Sequence, residues 1–290
     1  MNSYVLTYHS HHVVGNDYAR NDHIALPADL ELVTDAGCKI VSLDTLVDAF
    51  FNVAAARGGS DDGKLVAITF DDGPIYDVED FIHPEFGNQR GFLGIMRDFL
   101  SRRGEKAQPG LSATSFVIAS PDARRVIEAT YDADYTYIGP GSMTDEWWNR
   151  AIDTGLISIA NHSWDHLHPA LPTVAHSRQV KADFTLVLTE DDADAQIADA
   201  CRFIAAHTGG RNAPFFAFPF GHYNSFLTEC YLPSHAHRIG LRAAFTTEPG
   251  PISGSENPWC LPRYICGHDW KHPDELLAIL NSAALGTRGR

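Results

Sequence analysis

Basic residues are scarce in this chain: 22 Lys and Arg stand against 37 Asp and Glu, a formal net charge of −15 over 290 residues. A binder of nucleic acid or of an anionic membrane surface needs a basic patch, so neither partner class is expected. Cysteine is also sparse. The five thiols, Cys38, Cys201, Cys230, Cys260 and Cys266, are odd in number and show no Cys-x-x-Cys spacing, which argues for reduced core thiols rather than a disulfide framework. No apolar run is long enough to cross a bilayer, and Met1-Asn2-Ser3-Tyr4-Val5 lacks the basic-then-apolar order of a secretory leader, so the expected setting is cytoplasmic. Internal repeats, linkers and low-complexity tracts are missing too. With a hydrophobic share of 44%, ordinary for a globular core, one domain over 1–290 is expected.

What is present is an alternation of short apolar runs with longer amphipathic ones. Strands are expected at 4–8, 38–41, 64–70, 113–118, 156–160, 215–218, 242–246 and 261–265. Helices are expected at 28–36, 44–56, 91–102, 121–129, 144–154, 190–207, 225–239 and 273–284. Such alternation is the sign of a parallel β/α architecture. Three longer connections, 74–90, 131–143 and 167–188, are expected to form lids, because long segments without regular structure in compact domains often serve a site.

The chemistry concentrates after two of those strands. Lys64-Leu65-Val66-Ala67-Ile68-Thr69-Phe70 runs into Asp71-Asp72-Gly73-Pro74, an adjacent carboxylate pair at a turn. Leu156-Ile157-Ser158-Ile159-Ala160 runs into Asn161-His162-Ser163-Trp164-Asp165-His166. Two imidazoles four apart share a face if the segment turns helically. One carboxylate with two histidines leaves open positions on a divalent ion, and the second carboxylate is free to take a proton; this is the equipment of metal-assisted hydrolysis. An Asp-Asp-Gly turn alone is often only solvated, and it is the combination that carries weight. His168 is left outside the ligand set, since Pro169 bends the chain away from it.

The sequence Thr-Phe-Asp-Asp-Gly-Pro followed by His-Ser-x-x-x-His resembles the first two motifs of the polysaccharide deacetylase family, also called the NodB-homology or carbohydrate esterase 4 family. Phe216-Ala217-Phe218-Pro219-Phe220-Gly221-His222-Tyr223-Asn224 resembles its third motif in the poly-N-acetylglucosamine deacetylase variant, and Tyr4-Val5-Leu6-Thr7-Tyr8-His9 is similar to the opening strand of that branch. The resemblance implies a distorted (β/α) barrel of about seven parallel strands and a metal-dependent N-deacetylase. It implies Asp71 as base, Asp72, His162 and His166 as ligands of one divalent ion, zinc first with cobalt, nickel or iron as substitutes, and a backbone N–H at Phe220, after Pro219, for the oxyanion.

The family pattern is not complete. The third-motif Arg that orients the base is replaced by Ala217, and Arg263 in Leu261-Pro262-Arg263-Tyr264 is the expected substitute. Asp269 and Trp270 resemble a shortened fourth motif, with Trp270 expected to wall the substrate. Where a Leu-x-His would supply the general acid, the chain has Ile279-Leu280-Asn281-Ser282-Ala283. His268 is the first candidate for that acid and His9 the second. The expected substrate is an N-acetylated sugar, free or nucleotide- or lipid-linked, on the way to a surface polysaccharide. A catalytically silent sugar-binding barrel and a hydrolase of another small amide are the alternatives.

Overall fold

The computed structural model describes residues 2–56, 63–129 and 137–282. Its main sheet is parallel throughout, in the order β10-β1-β3-β6-β7-β8-β9. The strands are β1 (Ser3–Tyr8), β2 (Lys39–Ile40), β3 (Leu65–Phe70), β4 (Phe81–His83), β5 (Gly87–Gln89), β6 (Ala113–Val117), β7 (Ile157–Asn161), β8 (Phe215–Ala217), β9 (Ala243–Phe245) and β10 (Tyr264–Ile265). β2 adds to one end of β3. A parallel bridge from Phe245 to Leu261 draws the segment entering β10 against β9, so the seven-stranded path curls toward closure as a distorted barrel.

Both faces of the strands are covered, which explains why they read as continuous apolar runs. In β1 and β3 all six residues are buried. Period-two alternation divides them. Val5, Ala67, Phe116, Ala160, Phe215, Ala217 and Phe245 form one cluster with Leu261, the barrel interior. Tyr4, Leu6, Tyr8, Val66, Ile68 and Phe70 turn outward into a second cluster with residues of the helices Asp22–Asp35 and Phe92–Arg103. The helix Leu43–Ala56 contributes Leu43, Leu46, Val47 and Phe50 to the interior cluster.

Each strand expected from the sequence forms, with ends shifted by one to three residues. The first helix begins at Asp22, six residues before its expected start, because the Asn21 side chain caps it by accepting from His23 N. The segment 74–90 holds a structure that its Pro- and Gly-rich composition hides, the two-stranded antiparallel hairpin β4–β5. It packs by ring stacking, with Phe81 3.7 Å from Tyr76 between centroids. Of the second expected lid, residues 131–136 lie outside the described residues.

Candidate active site

Strand parity aims the first carboxylate. Ala67 and Thr69 point into the barrel, so Asp71, two residues on, does the same and is buried. Its neighbour would face outward on a continuing strand. Asp72 instead takes a positive φ of 73° and Gly73 follows at 69°, which ends the pleat and turns the second carboxylate to the rim. Gly73 is required there, since a Cβ would lie 2.6 Å from Val117 Cγ1.

Arg263 also obeys the interior parity, two residues beyond Leu261, and is fully buried. Its guanidinium donates to both oxygens of Asp71, Nη1 to Oδ1 at 2.8 Å and Nη2 to Oδ2 at 2.8 Å. Nε donates to Thr246 O at 3.0 Å, and the group lies 5.3 Å over the Phe116 ring. Burial alone would raise the Asp71 pKa, but the charge and hydrogen bonds of Arg263, with His162 beside it, hold it well below the usual carboxylate range. For Asp72, burial and the Asp71 charge outweigh His9 and Arg263 and push it up to about 6. Two adjacent carboxylates therefore have opposite environments.

His162 continues the interior parity of β7, after Ala160. Its Nδ1 lies 2.9 Å from Ala217 O. A carbonyl only accepts, so Nδ1 carries the proton and Nε2 keeps its lone pair for the site. Helical spacing does not bring His166 to it, contrary to expectation: the segment is a bent loop, with Ser163 at φ 74°, His166 at 61° and Leu167 at 44°. Side chains hold this conformation. Asn161 Oδ1 accepts from Ser163 N at 2.7 Å, Ser163 Oγ from His166 N at 2.9 Å, and Asp165 Oδ1 from Leu167 N at 2.9 Å. Burial lowers both histidine pKa values, His166 further because His162 and His168 lie nearby, so both rings are kept neutral as metal ligands must be.

Asp72 Oδ1 lies 3.5 Å from His162 Nε2 and 3.4 Å from His166 Nε2. One ligand atom from each of the three residues falls within 4.8 Å of the others. Ligands about 2.0–2.2 Å from one tetrahedral ion are separated by roughly 3.4 Å, so the residues fit a divalent metal and leave positions open. Buried His166 Nδ1 has no partner among the described residues.

These groups open on a cavity of about 310 Å³. His9, His11, His168, Phe220, Gly221 and Thr247 line it beside the acid pair and the two histidines, and Ile118, Ile127, Ile138 and Met143 give it an apolar wall. Phe220 takes a positive φ of 57° and packs its ring 4.4 Å from that of His166. Gly221 N and His222 N donate to Phe218 O and Pro219 O, whereas Phe220 N has no backbone acceptor among the described residues. Pro219, an expected substrate-site residue in the same turn, is buried and does not line the cavity.

Two expected site residues lie elsewhere. The His268 side chain is 82% exposed beside Asp269 and does not line the cavity. Trp270 is fully buried, donating from Nε1 to Asp29 Oδ2 at 3.2 Å and meeting Tyr8 edge-on, so it is a core residue rather than a substrate wall. Their turn is tight, with Asp269 Oδ2 accepting from Ile265 N at 2.7 Å. The segment 74–90 contributes nothing to the cavity lining; Ile138, Met143, His168 and Pro169 of the other two expected lids do. His11 was not singled out from the sequence, although its i+2 spacing from His9 is the signal of a shared face.

A profile of the polysaccharide deacetylase family matches residues 106–232. The resemblance to that family holds. The matched span contains His162, His166 and Phe220, while the acid pair and Arg263 lie outside it. No curated protein matches the sequence. Among solved structures, IcaB from Ammonifex degensii is 18% identical with a TM-score of 0.61, and the match covers 97% of each chain. The Streptococcus pyogenes deacetylase PplD is 17% identical with a TM-score of 0.58, covering 97% of this chain and 99% of that one. The deacetylase domain of BpsB from Bordetella bronchiseptica is 17% identical with a TM-score of 0.56, covering 91% and 96%. At these identities they share the fold, a polysaccharide deacetylase type of barrel.

Proposed function

We propose that the protein is a metal-dependent hydrolase that removes the acetyl group from an N-acetylated sugar. The observation that carries this reading is the adjacency of two unlike carboxylates: Asp72 within a three-residue ligand set, and Asp71 held ionised by Arg263. A protein that only binds sugar needs no such division. Asp72, His162 and His166 would hold the ion, zinc first, with cobalt, nickel or iron able to use the same donors. When bound, the ion supplies Lewis-acid polarisation of the amide carbonyl and lowers the pKa of water.

The remaining work falls to the chain. Asp71 takes the proton from the attacking water, since each oxygen retains a lone pair beyond its bond to Arg263. The Phe220 N–H stabilises negative charge as it develops on the carbonyl oxygen. His9, which lines the cavity where His268 does not, protonates the leaving amine. The water oxygen bonds the acyl carbon, the carbon–nitrogen bond breaks, and acetate and a sugar amine leave. The test is acetate release by metal-loaded protein from free, nucleotide-linked and oligomeric N-acetylglucosamine, beside Asp71→Asn. Release from one of these, absent in the variant, supports the reading and names the form of the sugar. Binding without release supports the silent barrel instead.

A further inference from the structure

A third carboxylate lies behind the acid pair and has no part in the chemistry above. Asp77 is fully buried in the turn that follows Asp72 and Gly73. Its Oδ1 accepts from Ser10 Oγ at 2.5 Å and its Oδ2 from Ser115 Oγ at 2.6 Å. Burial pushes its pKa up to about 7, with the two hydroxyl contacts pulling the other way. Ser115 belongs to β6, next to β3 in the sheet. Ser10 stands between His9 and His11, the two imidazoles that β1 delivers to the cavity. Asp77 therefore ties the loop bearing the acid pair to the loop bearing those histidines.

The tie bears on how Asp72 is used. One oxygen, Oδ1, faces His162 and His166, and the other, Oδ2, lies 3.5 Å from His11 Nε2. The His11 side chain is 8% exposed and its Nδ1 is buried without a partner among the described residues, so the ring is held by its surroundings and its loop rather than by a hydrogen bond of its own. His9 meets it edge-on, 5.5 Å between centroids.

We propose that Asp77 is a positioning residue: through Ser10 it fixes His11 against Oδ2 of Asp72, so that Asp72 offers Oδ1 alone to the metal. This rests on the reading of Asp72 as a ligand. Asn at 77 could keep both contacts, its amide oxygen accepting from one serine and its NH2 donating to the other, so the tie is broken with Ala at 77, which has no polar atom to offer either.

The experiment has a metal-free arm and a metal arm. In metal-free protein, histidine ring NMR of Asp77→Ala moves the His11 Cε1–H resonance and leaves that of His268 in place; an unmoved His11 resonance overturns the proposal. In the second arm, cobalt dissociation constants are measured for wild type, Asp77→Ala, His11→Ala and the double variant. Each single change weakens cobalt about tenfold, and the double variant is no weaker than either, because both remove one interaction. A hundredfold loss in the double variant, the product of independent effects, overturns it. Ser10→Ala breaks the same tie with Asp77 in place and gives the same pattern if Asp77→Ala folds poorly. Absence of cobalt binding in wild type would sink the metal reading while the NMR arm still decides the positioning claim.

Discussion

Arg263 and Asp71, 192 residues apart in sequence, meet inside the barrel through two parallel N–H···O bonds of 2.8 Å each. The pair stands where Ala217 provides no cation, and it fixes both the charge of Asp71 and its direction. Removing one partner of a buried pair leaves an uncompensated charge, so Arg263→Met is expected to cost about 3–5 kcal/mol of stability near neutral pH. The sign with pH follows from the depressed Asp71 pKa. Its stabilisation is present above the unfolded value of about 4 and is lost as pH falls through the folded one. In the variant the cation is gone and burial remains, so the acid limb of kcat/KM moves to higher pH. An acid limb that stays in place would separate Arg263 from the base.

Asp71 and Asp72 are expected to part cleanly under substitution. Asp72→Ala loses metal and turnover together, whereas Asp71→Asn keeps metal and loses turnover by on the order of a hundredfold or more. Metal content and rate measured on the same preparations check this, and full rate in Asp71→Asn would remove Asp71 as the base.

Metal affinity should itself depend on pH. With burial pushing Asp72 up to about 6 in the metal-free protein, protons compete for the ligand below that value. The apparent dissociation constant is expected to rise about tenfold or more between pH 7 and pH 5. A flat profile in a competition titration would show that Asp72 is not a ligand.

His9→Ala should depress kcat with metal content unchanged, while His268→Ala, altering a side chain 82% exposed and outside the cavity, should leave kcat near wild type. The reverse order in a steady-state comparison would return the acid role to the β10 loop.

Gly221→Ala tests the turn that carries Phe220. Gly221 has φ 69°, and a Cβ there would lie 1.9 Å from Thr247 Oγ1, so both backbone and neighbour must shift. Both residues line the cavity, and kcat/KM is expected to fall on the order of a hundredfold through misplacement of the Phe220 N–H. An unaffected rate would argue against a role for that N–H.

Much of this was legible in the sequence because the strands are buried on both faces and their ends carry the chemistry. Period two even dictates that Asp71, His162 and Arg263 point inward, each two residues beyond an interior Thr69, Ala160 or Leu261. What spacing could not supply was the backbone: His166 reaches the site through left-handed residues braced by Asn161, Ser163 and Asp165, and helical periodicity is not its cause. The hairpin β4–β5 was hidden because three-residue strands leave no period to read. His9 could not be ranked above His268 from sequence, since the difference lies in a tight turn at Asp269 that leaves His268 in solvent.

Metal stoichiometry is the measurement that bears most directly on the central claim. After loading and desalting, elemental analysis should find about one equivalent in wild type and in Asp71→Asn, and little in His162→Ala. Equal metal in all three, or none in wild type, would contradict a site built from Asp72, His162 and His166.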